Sequence, residues 1–236
     1  MPHARSAFAL ICCVALPACG LGALVSAPVC PDDMVHIPGG PTTIGFPRPL
    51  QQWMEPARAV ELSPYCIDRY EWPNKKGELP QGWLTWDGAR AACEGVGKRL
   101  CTSAEWERAC RGPTGTRYSY GRQRDATACN TPIDGSGPGR GPVPLATSGT
   151  YERCHSAEGV HDLNGSLSEW TADNWTGAPE PFNAEATVND NWFTLRGGTM
   201  WNHTFYGQDC SSRHGHARTF KNMDDGARCC LGAAED

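Results

Sequence analysis

The apolar positions of one short segment recur with the period of an α-helix. In TWDGARAACEGVG, the residues Ala89, Ala92, Cys93 and Val96 fall three or four positions apart, which puts them on one helical face. Gly97 is well placed to end this helix, because glycine adopts the left-handed conformation that commonly closes helices.

A second helix is predicted in TSAEWERACRG, which only KRLC separates from the first. Thr102 and Glu105 have the spacing of a capping box, in which each side chain accepts a hydrogen bond from the other residue's backbone N–H. Trp106 and Cys110 share one face, and Gly112 follows as the end of the helix.

Two-residue alternation predicts short β-strands in the rest of the chain. MVHIPGG alternates and then turns, and RAVELSPYCIDRYEW reads as two short strands or as one strand broken at Pro64. FTLRGGT and GARCCL are further short strands, whereas residues 113–158 are a loop rich in Gly, Pro and Thr. A helix pair with short strands and long loops predicts an α+β fold with little regular secondary structure.

The overall charge restricts the class of partner. The 236-residue chain has a net charge of −5 and no basic stripe, which argues against nucleic acid as a partner. Its 27 glycines and 19 prolines suit a loop-rich domain.

The N-terminus has the pattern of an export signal. MPHAR precedes the apolar run AFALICCVALPA, which is too short to span a membrane as a mature helix. The run ends in LPAC, which resembles a lipobox and makes Cys19 the expected acylated residue. We therefore expect a signal peptide at 1–18, a tether at 19–32 and one domain at 33–236, with the membrane reached only through the lipid. The alternative is a plain signal cleaved near Ser26.

Thirteen cysteines are present, and three of them lie in the first 19 residues. The other ten are an even number behind an export signal and contain no CxxC pair, which favours disulfides over zinc.

Several stretches together resemble the formylglycine-generating, sulfatase-modifying family. MVHIPGG, VELSPYCIDRYEW, TWDGARAAC, GKRLCTSAEWERACRG, YSYG, GVHDLNGSLSEWTADNW, LRGGTMW and GARCC occur in the order found in that family, over about residues 33–231. The resemblance implies a variant of the C-type lectin-like fold with bound calcium. Because this family includes a copper-dependent oxidase alongside members with other roles, the resemblance does not settle function.

The resemblance also implies disulfides. The two core bridges of the family fall on Cys93–Cys229 and Cys110–Cys210. Cys101 stands where the family often has Pro, and Cys230 follows Cys229, so we infer Cys101–Cys230. Cys129–Cys154 and Cys30–Cys66 are then the remaining pairs, with a free thiol among these last three bridges as the alternative.

Calcium ligands are carried over from the same resemblance. In DLNGSLSE the family's roles fall on the side chains of Asp162 and Glu169 and on the carbonyls of Gly165 and Leu167. Calcium prefers such mixed carboxylate and carbonyl oxygens, although a solvated turn is the alternative. A second calcium set would consist of Asn130, Thr131 and Asp134.

The copper site of the catalytic relatives is not matched. In those relatives two cysteine thiolates after the Gly-Gly turn bind Cu(I). Counted forward from Thr199 the two positions are Asn202 and Gly207, and counted back from Cys210 they are Met200 and Phe205. Neither register supplies a cysteine, so copper is not expected.

Two other uses of this region are considered. His203, His214 and His216, with Asp209 or Asp224, are candidate ligands of another metal in an altered oxidoreductase, although surface histidines are the simpler interpretation. The candidate residues of a groove for a peptide or glycan are Thr199, Trp201, Asn202 and Arg213, with Arg196 as a further possibility.

We therefore expect an exported, lipid-anchored, calcium-stabilised binding or accessory protein, whose partner is a peptide, a glycan or a cell-envelope protein. A metal-dependent oxidoreductase is the alternative.

Overall fold

The computed structural model describes residues 28–49, 55–131, 143–177, 188–200 and 208–232. Cys19, the expected signal peptide, Asp134, Trp201, Asn202 and His203 lie outside these residues. The elements are β1 Met34–Ile37, β2 Gly40–Ile44, β3 Arg58–Leu62, β4 Tyr65–Asp68, α1 Trp86–Glu94, β5 Arg99–Leu100, α2 Ser103–Arg111, β6 Ser168–Asn174, β7 Trp192–Arg196, β8 Arg213–Ala217, β9 Asp225–Ala227 and β10 Cys229–Leu231.

The α2 helix begins as its sequence predicts. Thr102 is the N-cap, and both hydrogen bonds of its capping box with Glu105 are formed. Gly112 follows the last residue of the helix with φ of 62°.

The α1 helix ends at Glu94, three residues earlier than Gly97. Gly97 nevertheless closes it, because its N–H donates to the Glu94 carbonyl and Lys98 N–H donates to the Cys93 carbonyl. These two bonds, with φ of 72° at Gly97, form a Schellman motif. The prediction that Val96 belongs to the buried face is wrong, since its side chain lies beyond the helix and is 52% exposed.

The strands form two four-stranded sheets and one ribbon. The first sheet has the order β1-β4-β10-β5, the second has the order β8-β7-β6-β9, and β2 pairs with β3. All pairs are antiparallel except β6 with β9. The α+β prediction is confirmed, and the predicted break at Pro64 separates β3 from β4.

The strand β10 lies between two hydrophobic clusters. Because neighbouring side chains of a strand point to opposite faces, Cys229 belongs to the cluster under α1 and Cys230 to the cluster under α2. Trp170 and Leu195 fill the first cluster, and Trp106 is the largest side chain of the second.

Five disulfides hold these layers together. The bridges are Cys30–Cys66, Cys93–Cys229, Cys101–Cys230, Cys110–Cys210 and Cys129–Cys154, the same pairs that the sequence led us to expect. Two of these bridges start from β10, on its opposite faces. Cys93–Cys229 connects it to α1, and Cys101–Cys230 connects it to the segment before α2. This number of disulfides indicates an oxidising, extracytoplasmic environment.

Within the described parts of the chain, no helix combines the length and the apolar character needed to cross a membrane.

Removing a disulfide that closes a long loop should cost more stability than removing one that closes a short loop. Cys93–Cys229 spans 136 residues of chain, but while Cys101–Cys230 is intact it closes only the short path from Cys93 to Cys101 and back across that neighbouring bridge, about 10 residues. Cys129–Cys154 closes a loop of 25 residues that no other bridge shortens. Chain entropy then predicts losses in unfolding free energy of about 2.7 kcal/mol for the Cys93→Ala/Cys229→Ala variant and about 3.5 kcal/mol for Cys129→Ala/Cys154→Ala. Guanidinium-induced unfolding measures both, and a larger loss in the first variant would contradict the prediction.

Candidate functional site

Three buried carboxylates gather around one buried guanidinium. Glu71, Asp162 and Glu169 are each at most 6% exposed, and Arg228 is fully buried among them. Arg228 Nε and Nη2 donate to the Glu169 carboxylate at 2.8–3.1 Å. If all four groups are ionised, the cluster carries a formal charge of −2, because three acids face one base.

Two of these buried acids have raised pKa values. Burial raises the pKa of Glu71 well above its usual range, and the charges of Asp162 and Glu169 raise it further. Burial also raises the pKa of Asp162 to about 6, although the Gly149 N–H bond and the Arg228 charge oppose the change. Both acids would ionise more readily with a cation beside them.

The loop that follows Asp162 has an irregular backbone. Asp162, Gly165 and Ser166 all have positive φ, at 62°, 85° and 54°. Gly165 is required by space as well, because a Cβ there would lie 2.3 Å from the Asn130 carbonyl oxygen. The Ser166 N–H donates to that same carbonyl at 3.0 Å. This contact holds the first predicted calcium loop against the start of the second.

The cluster partly fits the predicted first calcium site. Glu71 Oε1 accepts from the Leu167 N–H at 3.0 Å, while its buried Oε2 has no hydrogen-bond partner among the described residues. Asp162 and Glu71 therefore offer carboxylate oxygens of the kind that calcium prefers. Glu169 is more constrained, because Arg228 and the indole N–H of Trp106 already bond both of its oxygens.

The second predicted calcium set is only partly described. The Asn130 amide donates to the Pro144 carbonyl at 3.1 Å and accepts from the Tyr151 hydroxyl at 3.4 Å. Thr131 follows it in a turn, with its N–H bonded to the Cys129 carbonyl, and Asp134 lies outside the described residues.

Glu71 and Arg228 were missed as members of this cluster by sequence reasoning. Both stand within stretches that carry the family resemblance, DRYEW and GARCC, but no role was assigned to them. For Arg228 the available signal was a charged residue next to two cysteines and between strand positions, because such a charge needs a partner inside the fold.

The groove candidates are buried in the described part of the chain. Thr199 is 4% exposed, and its carbonyl accepts from Gln208 Nε2 at 3.2 Å. Arg213 lies over the Trp175 ring at 4.8 Å and pairs with Glu55 at 3.5 Å. Neither residue lines either of the two cavities described below.

The expectation that Arg196 contacts a ligand is wrong. It is the last residue of β7, and its fully buried guanidinium pairs with Glu107 at 2.8 Å and donates to the Ser103 hydroxyl at 2.6 Å. Arg196 thus neutralises a buried acid of α2.

Two of the three candidate histidines converge. His214, His216 and Asp225 each offer a ligand atom, and these atoms lie within 4.8 Å of one another. The predicted carboxylate partners were different. Asp209 instead bonds Arg117, at 3.1 Å, and the residues Ser211 and Ser212. The carboxylate that lies beside the two histidines is that of Asp225 in β9, whereas the sequence had suggested its neighbour Asp224.

The cavities on the described surface include two of different chemical character. An apolar hollow of about 410 Å³ is lined by Leu79, Pro80, Gly82, Trp83, Val143, Pro144, Leu145, Met200 and Met223. A larger cavity of about 1060 Å³ contains Arg111, Arg122, Arg124 and Arg153. Internal pairs, including Arg153 with Asp125, neutralise part of the charge in the larger cavity.

Sequence comparison with known proteins agrees with the family resemblance described above. The profile of the Sulfatase-modifying factor enzyme 1-like domain matches residues 72–233. The formylglycine-generating enzyme of Mus musculus is 29% identical over 165 residues, a match that covers 62% of this chain and 42% of the mouse protein. Serine/threonine-protein kinase pkn1 of Chlamydia caviae is 31% identical over 157 residues, covering 63% of this chain and 23% of that protein. The chain thus spans less than half the length of these relatives.

Solved structures share the fold. PvdO from Pseudomonas aeruginosa aligns with a TM-score of 0.63 and 20% identity, over 84% of this chain and 93% of that one. Treponema denticola variable protein 1 aligns with a TM-score of 0.60 and 18% identity, over 84% and 94%. At these identities the likeness concerns the fold alone, and it agrees with the predicted C-type lectin-like architecture.

Proposed function

Because the chain belongs to the family of the Sulfatase-modifying factor enzyme 1-like domain, we propose that it is an exported binding or accessory protein without formylglycine-generating oxidase activity. In this proposal calcium stabilises the fold and a lipid on Cys19 anchors the chain to the cell envelope. The family is shared with enzymes, but the chain spans only 42% of the mouse relative, so the activity of that protein does not transfer with the fold.

The main support for this proposal is that the cysteines beyond residue 19 are disulfide-bonded. Ten of the thirteen, from Cys30 to Cys230, are joined in disulfides, and the other three lie within the first 19 residues. A Cu(I) site of the family's type needs two thiolates. No cysteine beyond residue 19 is left to supply one while the five bridges are intact.

The apolar hollow supports a binding role. Trp83 and Leu79 are 59% and 58% exposed at its edge, although large apolar side chains are normally buried. Trp83 has φ of 59°, and its N–H donates to the Asn222 carbonyl, so the backbone is held in a conformation unusual for a large residue. An exposed indole beside an apolar hollow suits an extended peptide or the face of a sugar ring.

Calcium fits the carboxylate cluster. Asp162 and Glu71, together with the carbonyls of Gly165 and Leu167, would hold the ion, and Glu169 would face it while bonded to Arg228. The ion would offset the negative charge of the cluster and would hold the Asp162 loop in its irregular conformation.

A metal-dependent oxidoreductase is the second candidate function. The convergence of His214 and His216 with Asp225 favours it, because two imidazoles and a carboxylate are a common ligand set for iron and zinc.

The oxidase reaction should be absent. We expect no copper-dependent oxygen consumption with a cysteine-containing peptide, and no free thiol beyond residue 19 by mass spectrometry of the unreduced, alkylated protein. A formylglycine-generating enzyme assayed in parallel is the positive control. Copper-dependent turnover would refute the proposal.

Calcium should raise the melting temperature more at pH 7.5 than at pH 5. Asp162 has a pKa of about 6 without metal, against 3.8 ordinarily, so the folded protein binds the extra proton between these values. Stability without calcium therefore falls as pH rises through that window, and calcium supplies the missing charge compensation. Thermal denaturation with calcium and with EGTA measures the difference. Asp162→Asn should remove most of the increment, whereas Asp125→Asn, at a partly exposed position outside the cluster, should leave it intact. An unchanged increment in Asp162→Asn would contradict the site.

Trp83 should contribute strongly to the affinity for a ligand in the apolar hollow. On panels of peptides and glycans we expect Trp83→Ala to weaken the binding of wild-type ligands by about tenfold or more, which corresponds to about 1.4 kcal/mol. Phe220→Ala is the matched control, because Phe220 is also an exposed aromatic residue but lies outside the hollow. Equal loss in both variants would count against this surface.

A further inference from the structure

We propose that His214, His216 and Asp225 form a binding site for one divalent transition-metal ion of the zinc or iron class. Their ligand atoms lie within 4.8 Å of one another. Tetrahedral ligands at bond lengths of about 2.0–2.2 Å lie about 3.3–3.6 Å apart, so side-chain rotations that bring these atoms closer together would complete the site. The inference is independent of the binding function proposed above, and the second candidate function, an oxidoreductase, would rest on it.

The pairing of the second sheet directs all three side chains to one face. His214 is opposite Leu195 and His216 is opposite Phe193 on β7, while Asp225 is opposite Ser168 on β6. Directly opposed residues project from the same face of a sheet, so the three lie on the side that also carries Trp170.

The chain before α1 explains how ligands from opposite edges of the sheet meet. β8 and β9 are the two edge strands, and two strands separate them. The Trp86 N–H donates to the Arg218 carbonyl just after β8, and the Leu84 N–H donates to the Asp225 carbonyl in β9. These two hydrogen bonds connect both edges to a single short segment, which holds the sheet curled around the face with the three ligands.

Gly215 fixes the direction of the histidines. A Cβ at Gly215 would lie 2.1 Å from Cγ of Trp175, so the indole packs directly on the backbone of β8. Because alternate residues face opposite ways, this contact on one face turns His214 and His216 toward the other. The HGH spacing noted in the sequence thus has a steric basis.

The surroundings are those of a metal site with one accessible side. His214 and Asp225 are 3% and 2% exposed, whereas His216 is partly exposed. Phe220 packs on the His216 ring at 4.1 Å, and Trp170 meets its edge at 6.4 Å. Apolar walls strengthen charge–ligand attraction, and the partial exposure of His216 gives the ion a route in.

This site is separate from the carboxylate cluster in position and in chemistry. Glu169 lies between Ser168 and Trp170 on β6, so its side chain projects from the opposite face of the sheet. The cluster around Glu169 offers oxygen atoms, which suit calcium. Two imidazoles with one carboxylate suit zinc, iron and related ions.

The test is a metal titration of the disulfide-bonded protein after chelator treatment, in excess calcium. Zn²⁺ is titrated by calorimetry, and Co²⁺ serves as the optical probe because its visible absorption reports imidazole ligation. We expect one equivalent of either ion to bind. His216→Gln and Asp225→Asn should each weaken binding by more than about 100-fold, since loss of a ligand exceeds the effect of losing an outer-shell partner.

Matched controls separate this site from general histidine binding and from loss of fold. His155→Gln removes one imidazole from another close pair, His155 and His161, whose ring centroids are 5.4 Å apart, and should leave binding unchanged. His216 is the primary position because it is partly exposed, and equal metal-free melting temperatures would show that the variant folds. Failure of the wild type to bind one equivalent, unaltered affinity in a folded His216→Gln protein, or loss of binding in His155→Gln would each overturn the proposal.

Discussion

The buried guanidinium of Arg228 is the interaction on which the rest of the structure depends. It sits between β9 and β10, and so between the second sheet and the first, and it donates to the Glu169 carboxylate and to the carbonyls of Asp68 and His161. One planar group thereby joins β4, the loop before Asp162 and β6. Burial of a charge is tolerated only when it is paired and fully hydrogen-bonded, so these three segments must be assembled together. The adjacent Cys229 and Cys230 then connect the same junction covalently to both hydrophobic clusters.

The interactions that hold this junction together are separate from those that the family's oxidase chemistry needs. The disulfides, the capping box and the Arg228–Glu169 pair stabilise the fold, and none of them requires copper-binding thiolates. The carboxylate cluster beside Arg228 retains an excess of negative charge, so it remains suited to a cation. The residues that stabilise the fold are thus distinct from the two thiolates that a Cu(I) site of the family's type needs.

The two faces of the second sheet carry two different sets of candidate metal ligands. On one face Glu169 belongs to the oxygen-rich cluster; on the other, His214, His216 and Asp225 meet beneath the segment that precedes α1. Alternation along β6 assigns neighbouring residues to these different environments. A hard cation and an imidazole-preferring cation could thus be held a short distance apart without competing for ligands.

The sequence by itself determined what depends on neighbouring residues. The capping box at Thr102, the closure of α1 at Gly97 and the strand break at Pro64 all follow from interactions within a few positions. The family motifs added two of the five cysteine pairs, and the other three were inferred from the cysteines that remained. Only the tertiary structure decided which distant groups meet. It buried Arg196 and Arg213 in ion pairs, brought Glu71 to Asp162, and chose Asp225 over Asp209 and Asp224 as the partner of the histidines. The physical reason is that each of these contacts joins residues far apart in the chain. The meeting of the histidines with Asp225, for example, depends on hydrogen bonds from residues 84 and 86 to the two edges of the sheet, which link positions more than a hundred residues apart.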